Sequence, residues 1–285
     1  MDKKVLCIVL CIFFVLTGCK GVGTEVDTIL SVENNDNRDL NVLNKAEFDR
    51  FNKDICGIFK DYDDGHMTLY VKDISNNLES VALSRRMQAA SLIKLYVAGS
   101  VYENYKDVCE YFDSEYVVEE LMRNMISASD NEALNELTMA LGRDNETKGK
   151  EMVNEFCKKH DYEDTHMGRL LLKKNQKDDN YTSVKDCGKF LYDIYTGEIE
   201  GAEEILGYMK QQERVSKIPQ GIPPHVTVAN KTGELSDVEN DVAIVFLDTN
   251  PYIICIMADK LDDTYKTREI EAELSEKIYL YMCGE

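Results

Sequence analysis

The segment Ala89–Gly99, AASLIKLYVAG, is apolar except for Ser91 and Lys94. Three residues apart on a helix, the two share a face about one turn from each other. A helix cap and a snorkelling lysine would account for them structurally. Chemically they form a hydroxyl nucleophile beside an amine base. A serine hydroxyl is a poor nucleophile without such a base. A lysine serves only when neutral, and a second ammonium nearby lowers the cost of losing its proton. A serine at a helix N-terminus also aims its own backbone N–H at a developing oxyanion. Two triplets downstream offer the remaining groups. Ser129-Asp130-Asn131, at the start of a predicted helix, brings a second hydroxyl, and Lys231-Thr232-Gly233, at the end of a predicted strand, brings a second ammonium. A Ser-x-x-Lys arises about once by chance in a chain of this length, and each triplet in roughly one chain in twenty. All three in this order, each in a fitting context, is expected in about one chain in a thousand or fewer, so together they constitute a site.

Other chemistries find no support. There is no Gly-x-Ser-x-Gly elbow, and no motif sets a histidine beside a serine. His66, His160, His166 and His225 lack ligand spacing with each other or with cysteine, and "DYDDGH" (Asp61–His66) has its glycine one place early for a calcium loop and no closing glutamate. Neither metal nor cofactor is expected.

The elements that must position these residues are legible in outline. "NKAEFDRFNKDICGIF", from Asn44, has a capping Asn and a helical apolar period. "HMTLYVKDI" and "LESVALS" read as strands joined at Ser75-Asn76-Asn77. From residue 89 to about 201 the pattern is mostly helical, with helices expected near 91–104, 114–124, 130–141, 147–159 and 183–196 and a polar loop over 160–182. "HVTVANKTG", "DVAIVFLD" and "YIICIMAD" return to strands, and an amphipathic helix over about 266–282 closes the chain. Strands at both ends around a helical middle predict an α+β fold, an α/β sandwich. One antiparallel sheet is built from both chain ends and flanked by terminal helices, with an all-helical subdomain inserted over about 100–201.

With these elements in place, the three motifs resemble those of class A β-lactamases and penicillin-binding proteins. "ENDVAIVF" is similar to that family's next strand and "NYTSVKDCGKFLYDIY" to the helix after its omega loop, so the likeness spans residues 45–283 or so. The resemblance implies roles residue by residue. Ser91 is the nucleophile with Lys94 as its base, and the N–H groups of Ser91 and Glu234 form the oxyanion hole. Ser129 passes a proton to the leaving nitrogen. Asn131 binds the substrate's amide side chain, and Lys231, Thr232 and Gly233 form the subsite for its carboxylate.

One departure carries a consequence. The family's omega-loop glutamate activates the water that releases the acyl-enzyme. Setting Thr165 and Arg169 on the family's Thr and Arg puts Leu171 at the glutamate's place and Asn175 on the family's Asn, in a shortened loop. Arg169 is expected to pair with Asp178 or Asp179. Glu163 and Asp164 lie nearby in sequence, but a register that uses them breaks the Thr/Arg match. General-base assistance is typically worth about 10²–10⁴ in rate, so release is expected to be slow.

Three readings follow. The first is a serine hydrolase that opens β-lactams. The second is a penicillin-binding-like enzyme acting on D-Ala-D-Ala peptides or another amide or ester. The third is a non-catalytic sensor of β-lactam or peptidoglycan. Leu171 favours the second; single-domain size and the Ser-Asp-Asn spacing favour the first. A sensor needs a separate signalling partner.

Composition bounds the setting. The chain has 285 residues, 44% of them hydrophobic, and a formal charge of −20, which speaks against nucleic acid because nothing neutralises phosphates. Lys3 and Lys4 precede the apolar run Val5–Leu16, too short to span a bilayer, and Leu16-Thr17-Gly18-Cys19 looks like a bacterial lipobox. Residues 1–18 read as a signal peptide, Cys19 as a lipidation site and 19–43 as a flexible tether with a reach of roughly 25–30 Å. The folded domain is 44–285. The segment removed carries a net +1, leaving −21 on a body that an anionic membrane would repel, so the lipid must hold it there. These features place the chain outside the cytoplasm on a bacterial membrane, expected to act as a monomer. Of nine cysteines, Cys56, Cys109, Cys157, Cys187, Cys255 and Cys283 belong to the domain, with no Cys-x-x-Cys pair. Six allow fifteen pairings, and the apolar surroundings of several suit buried thiols.

Overall fold

The structure, a computed structural model, describes residues 48, 50–51, 53–55, 62, 64–173, 177–248 and 250–284. All lie in one unit, Leu40–Glu285. The expected signal peptide, lipidation site Cys19 and tether, with Cys56 and Asn175, fall outside the described residues.

Strands β1 (His66–Asp73) and β2 (Leu78–Ala82) form the first hairpin. Two-residue strands β3 (Met87–Gln88) and β4 (Tyr181–Thr182) pair with each other. Strands β5 (Thr227–Leu235), β6 (Val238–Phe246) and β7 (Tyr252–Asp259) complete a sheet of order β2-β1-β7-β6-β5, antiparallel throughout. The last strand thus lies beside the first, and β5, which carries Lys231-Thr232-Gly233, is left as an edge.

Alternation along the central strands divides the core in two, because successive side chains leave opposite faces. Val242, Ile244, Ile253, Cys255 and Met257 pack against the inserted helices. Ala243, Val245, Ile254 and Ile256 pack against Phe48, Phe51, Leu274 and Ile278 from the two terminal helical segments. Both faces are covered, which is why β7 reads as an unbroken apolar run. The expected α+β arrangement is the one observed.

The helical layer comprises α1 (Ile93–Glu103), α2 (Tyr105–Phe112), α3 (Glu115–Ser127), α4 (Asn131–Leu141), α5 (Glu146–Lys159), α6 (Val184–Thr196) and α7 (Ala202–Met209), and α8 (Thr264–Met282) closes the chain. Polar caps set several starts: the side chains of Ser114, Asp130, Asn145 and Ser183 each accept from the backbone N–H three residues on. Helix α1 is buried at every position from Ile93 to Tyr102, so it runs through the middle of the layer with no wet face.

The sequence pattern omitted α2, α7 and the β3–β4 pair, and it set β6 three residues late. The last difference has a clear cause. Pairing continues through Glu239 and Asn240, polar residues that look like loop but are fully buried with partners. Glu239 pairs with Lys217 and Arg268, and Asn240 Nδ2 donates to the carbonyls of Gln88 and Ala89. Of the domain cysteines described, Cys109, Cys157, Cys187, Cys255 and Cys283 are all free thiols.

Candidate active site

Ser91 sits in a short 3-10 turn, Ala90–Leu92, that feeds into α1. The turn is held from both sides: Ala89 N–H donates to the Asn180 carbonyl at 2.9 Å, and Leu92 N–H to the Ala89 carbonyl at 2.9 Å. Ala90 takes φ +47°, a left-handed conformation that costs a residue with a Cβ of order 1–3 kcal/mol. The surrounding packing sustains that strain and turns Ser91 out at the helix entrance, where its side chain is half-buried.

Lys94 follows on the same face, fully buried. Its Nζ lies 2.9 Å from Ser91 Oγ, 2.7 Å from the Ser129 carbonyl, 3.2 Å from Ser129 Oγ and 2.7 Å from Asn131 Oδ1. An ammonium has three N–H donors for these four oxygens, whereas a neutral amine has a lone pair that can accept the Ser91 hydroxyl proton. Burial, and after it the positive charge of Arg214, pushes the Lys94 pKa down to about 7, against a smaller opposing pull from Asp130. Near neutral pH the side chain is therefore shared between the ammonium and the free amine.

The second motif is fixed by its own helix. Asp130 caps α4 through the Ala133 N–H at 2.9 Å, and Asp130 N–H donates to the Asn124 carbonyl at 3.0 Å. Ser129 just before it is left-handed, φ +60°, and its Oγ lies between two amines, 2.8 Å from Lys231 Nζ and 3.2 Å from Lys94 Nζ. Lys231 is buried on β5 and also donates to the Thr232 carbonyl at 2.9 Å. Burial, then Lys94, then Arg214 hold its pKa well below the ordinary lysine value. Two lysines and a serine thus form a hydrogen-bonded chain from Ser91 Oγ through Lys94 and Ser129 to Lys231. Thr232 Oγ1, next on the strand, is buried with no hydrogen-bond partner among the described residues.

Gly233 explains how the edge strand reaches Ser91. A Cβ there would lie 2.7 Å from the Ala89 carbonyl oxygen and 3.2 Å from Ser91 N. Only glycine lets β5 run against the turn. Gly233→Ala is expected to displace the turn and slow acylation of Ser91 at least tenfold, read from adduct formation with a penicillin; an unchanged rate would show that the contact does not set the site.

The omega loop is anchored at defined points. Asn180 Oδ1 accepts from Gly168 N–H at 3.0 Å and Arg169 N–H at 3.1 Å, and Arg169 Nε meets Asp179 Oδ1 at 2.7 Å. Of the two partners expected for Arg169, Asp179 is the one observed; Asp178 pairs with His166 instead. Asn135 clamps the Leu171 backbone, its Oδ1 accepting from Leu171 N–H at 2.9 Å and its Nδ2 donating to the Leu171 carbonyl at 3.1 Å. Asn135 stands one turn after Asn131 on α4, so Leu171 is tied to the helix face that holds Lys94. Glu163 and Asp164 instead line a cleft with Tyr70, Glu79, Asp161 and Lys185. Among the described residues, the only hydrogen-bond partner of Ser91 Oγ is Lys94. No group of three or more His, Cys, Asp or Glu side chains among them is placed to hold a metal ion.

The structure therefore brings together Ser91, Lys94, Ser129, Asn131 and Lys231, with Thr232, Gly233 and Glu234 alongside on β5. The sequence alone did not reveal Arg214, whose charge reaches both lysines, the Asn135 clamp, or Lys217. Lys217 is fully buried between Glu239, 2.9 Å away, and Glu234, 3.3 Å away.

Comparison with known proteins agrees with this fold. Among solved structures, PBP-A superposes with a TM-score of 0.70 at 20% identity over 81% of this chain and 94% of that one. A PBP-A mutant with glutamate in place of a leucine, solved as its acyl-enzyme complex with penicillin G, gives 0.71 at 19% identity over 81% and 96%. An ancestral class A β-lactamase of Gram-negative bacteria gives 0.68 at 17% identity over 80% and 98%. A search of curated protein sequences found no match. The model of the β-lactamase enzyme family matches residues 109–282, more than half of the chain and including two of the three motifs. With the fold and this match in hand, the chain belongs to the β-lactamase enzyme family.

Proposed function

We propose that this serine β-lactamase-like protein takes β-lactams, or the D-Ala-D-Ala peptide ends of the cell wall, onto Ser91 as an acyl-enzyme and releases them slowly. The observation that carries the reading is the buried Lys94 amine, 2.9 Å from Ser91 Oγ and lowered to a pKa of about 7. In the acylation step Ser91 Oγ adds to the carbonyl carbon while its proton passes to Lys94 Nζ. The N–H groups of Ser91 and Glu234 hold the negative oxygen. When the intermediate collapses the C–N bond breaks, and the nitrogen takes its proton from Ser129 Oγ, which is resupplied from the lysines on either side. Asn131 meets the amide side chain, and Lys231, Thr232 and Gly233 receive the carboxylate.

Slow release follows from Leu171. An aliphatic side chain at the place of the water-activating glutamate cannot accept a proton, and no carboxylate among the described residues hydrogen-bonds to Ser91. The PBP-A mutant solved as its acyl-enzyme complex with penicillin G supports the acylation half of this reading by likeness of fold. Cys19, if lipidated, would tether the domain to the outer face of the membrane, next to the wall. The test is Ser91→Ala in the full chain. Labelling by a fluorescent penicillin is expected to vanish; label retained on another residue would overturn the assignment.

A further inference from the structure

Beyond the groups that do the chemistry, β5 places an acid where the substrate's own acid is expected. This inference rests on the acyl-enzyme reading above and concerns which acyl donors the site prefers. Thr232 and Glu234 are two residues apart on β5, so their side chains leave the same face of the strand, roughly 6–7 Å apart along it. The Glu234 carboxylate lies 3.1 Å from Arg214 Nη1, 3.3 Å from Lys217 Nζ and 3.9 Å from Arg268. Burial works against its ionisation, but Lys217 and Arg214, with Arg268 beyond them, outweigh it and hold the carboxyl below its usual range.

These cations differ in what they can reach. Lys217 is wholly buried and shared with Glu239, and Arg268 bonds Glu239 at 2.7 Å. Arg214 keeps 46% of its side chain exposed and has no acidic partner other than Glu234 among the described residues. Its backbone is pinned, the N–H by Gln212 Oε1 at 3.1 Å and the carbonyl by Asn230 Nδ2 at 3.2 Å. Its Nη1 meets Glu234 on the strand face shared with Thr232, beside the subsite proposed for the carboxylate. A guanidinium in that position suits a ligand carboxylate, which it can hold with two N–H donors.

We propose that Glu234 is a specificity-determining residue: its carboxylate occupies Arg214 and weakens the site's hold on a donor's free carboxylate, shifting preference toward donors whose corresponding group is uncharged, an ester or primary amide. A like charge placed against one class of ligand is a common route to selectivity.

The test measures acylation rates of the full chain with a penicillin and with its neutral methyl ester, and reads their ratio. Glu234→Gln is expected to raise the anionic-to-neutral ratio about tenfold by freeing Arg214. Arg214→Gln alone is expected to lower it, since Glu234 is then left without that partner. Adding Arg214→Gln to Glu234→Gln is expected to cancel the rise. An unchanged ratio in Glu234→Gln, or a rise that survives loss of Arg214, overturns the inference while leaving the acyl-enzyme reading intact. Failure of both probes to acylate the wild-type chain overturns the acyl-enzyme reading and this inference with it.

Discussion

Lys94→Ala is expected to slow acylation of Ser91 by about 10²–10⁴-fold, the range typical for loss of a positioned general base. The Ser91 hydroxyl has no other hydrogen-bonded base among the described residues, so nothing there takes the role over. The fold should survive, because α1 is held by apolar packing along its whole length. The same amine sets a pH profile. A lysine whose pKa is lowered to about 7 is an ammonium below that pH and a free amine above it. Acylation by the unaltered protein should therefore rise with pH through about 7 and level off beyond it. Stopped-flow or quenched-flow acylation measured from about pH 5 to 9 checks both points. A profile flat across neutrality, or a Lys94→Ala protein acylated at the original rate, would remove Lys94 from the base role.

Leu171→Glu is expected to act on the opposite half of the cycle, shortening the lifetime of the acyl-enzyme by up to about 10²–10⁴-fold while leaving the acylation rate near its original value. The argument is positional. Asn135 ties Leu171 by two backbone hydrogen bonds to the face of α4 whose first residue, Asn131, bonds Lys94. These bonds use the Leu171 main chain, so a glutamate keeps the anchor and changes only the side chain. Leu171 is 8% exposed, and a glutamate there loses solvation, which raises its pKa toward the range of an effective base at neutral pH. Adduct lifetimes measured after removal of free penicillin test it. An unchanged lifetime would show that Leu171 does not stand where a hydrolytic water can be activated.

How much of this was written in the sequence depends on how local each feature is. Ser91 and Lys94 are bound by helical spacing, Ser129-Asp130-Asn131 by the cap it makes for α4, and Lys231-Thr232-Gly233 by the strand it ends, so each could be read in place. The expected strands and helices around them followed from apolar periods. Hydrogen bonds and charges from distant segments left no such trace. Arg214 lies in a polar stretch with no period, yet its charge reaches both lysines. Lys217, Glu239 and Arg268 are ordinary charged residues in sequence and a buried network in the fold. Asn135 sits among unremarkable helix residues and becomes a clamp only because the omega loop folds over it. Glu239 and Asn240 broke the apolar alternation of β6 because tertiary partners, not neighbours along the strand, satisfy them. The two-residue strands β3 and β4 are too short to show alternation at all. The resemblance supplied the roles of Glu234 N–H and Asn131, and the register that makes Leu171 matter.

The most direct measurement is intact-protein mass spectrometry of the full chain mixed with a penicillin and sampled from seconds to hours. A single penicilloyl adduct that forms readily and persists for hours is the predicted result, since Lys94 lies beside Ser91 and no carboxylate among the described residues hydrogen-bonds to Ser91. Absence of any adduct, or an adduct that vanishes as hydrolysed drug accumulates, would contradict it.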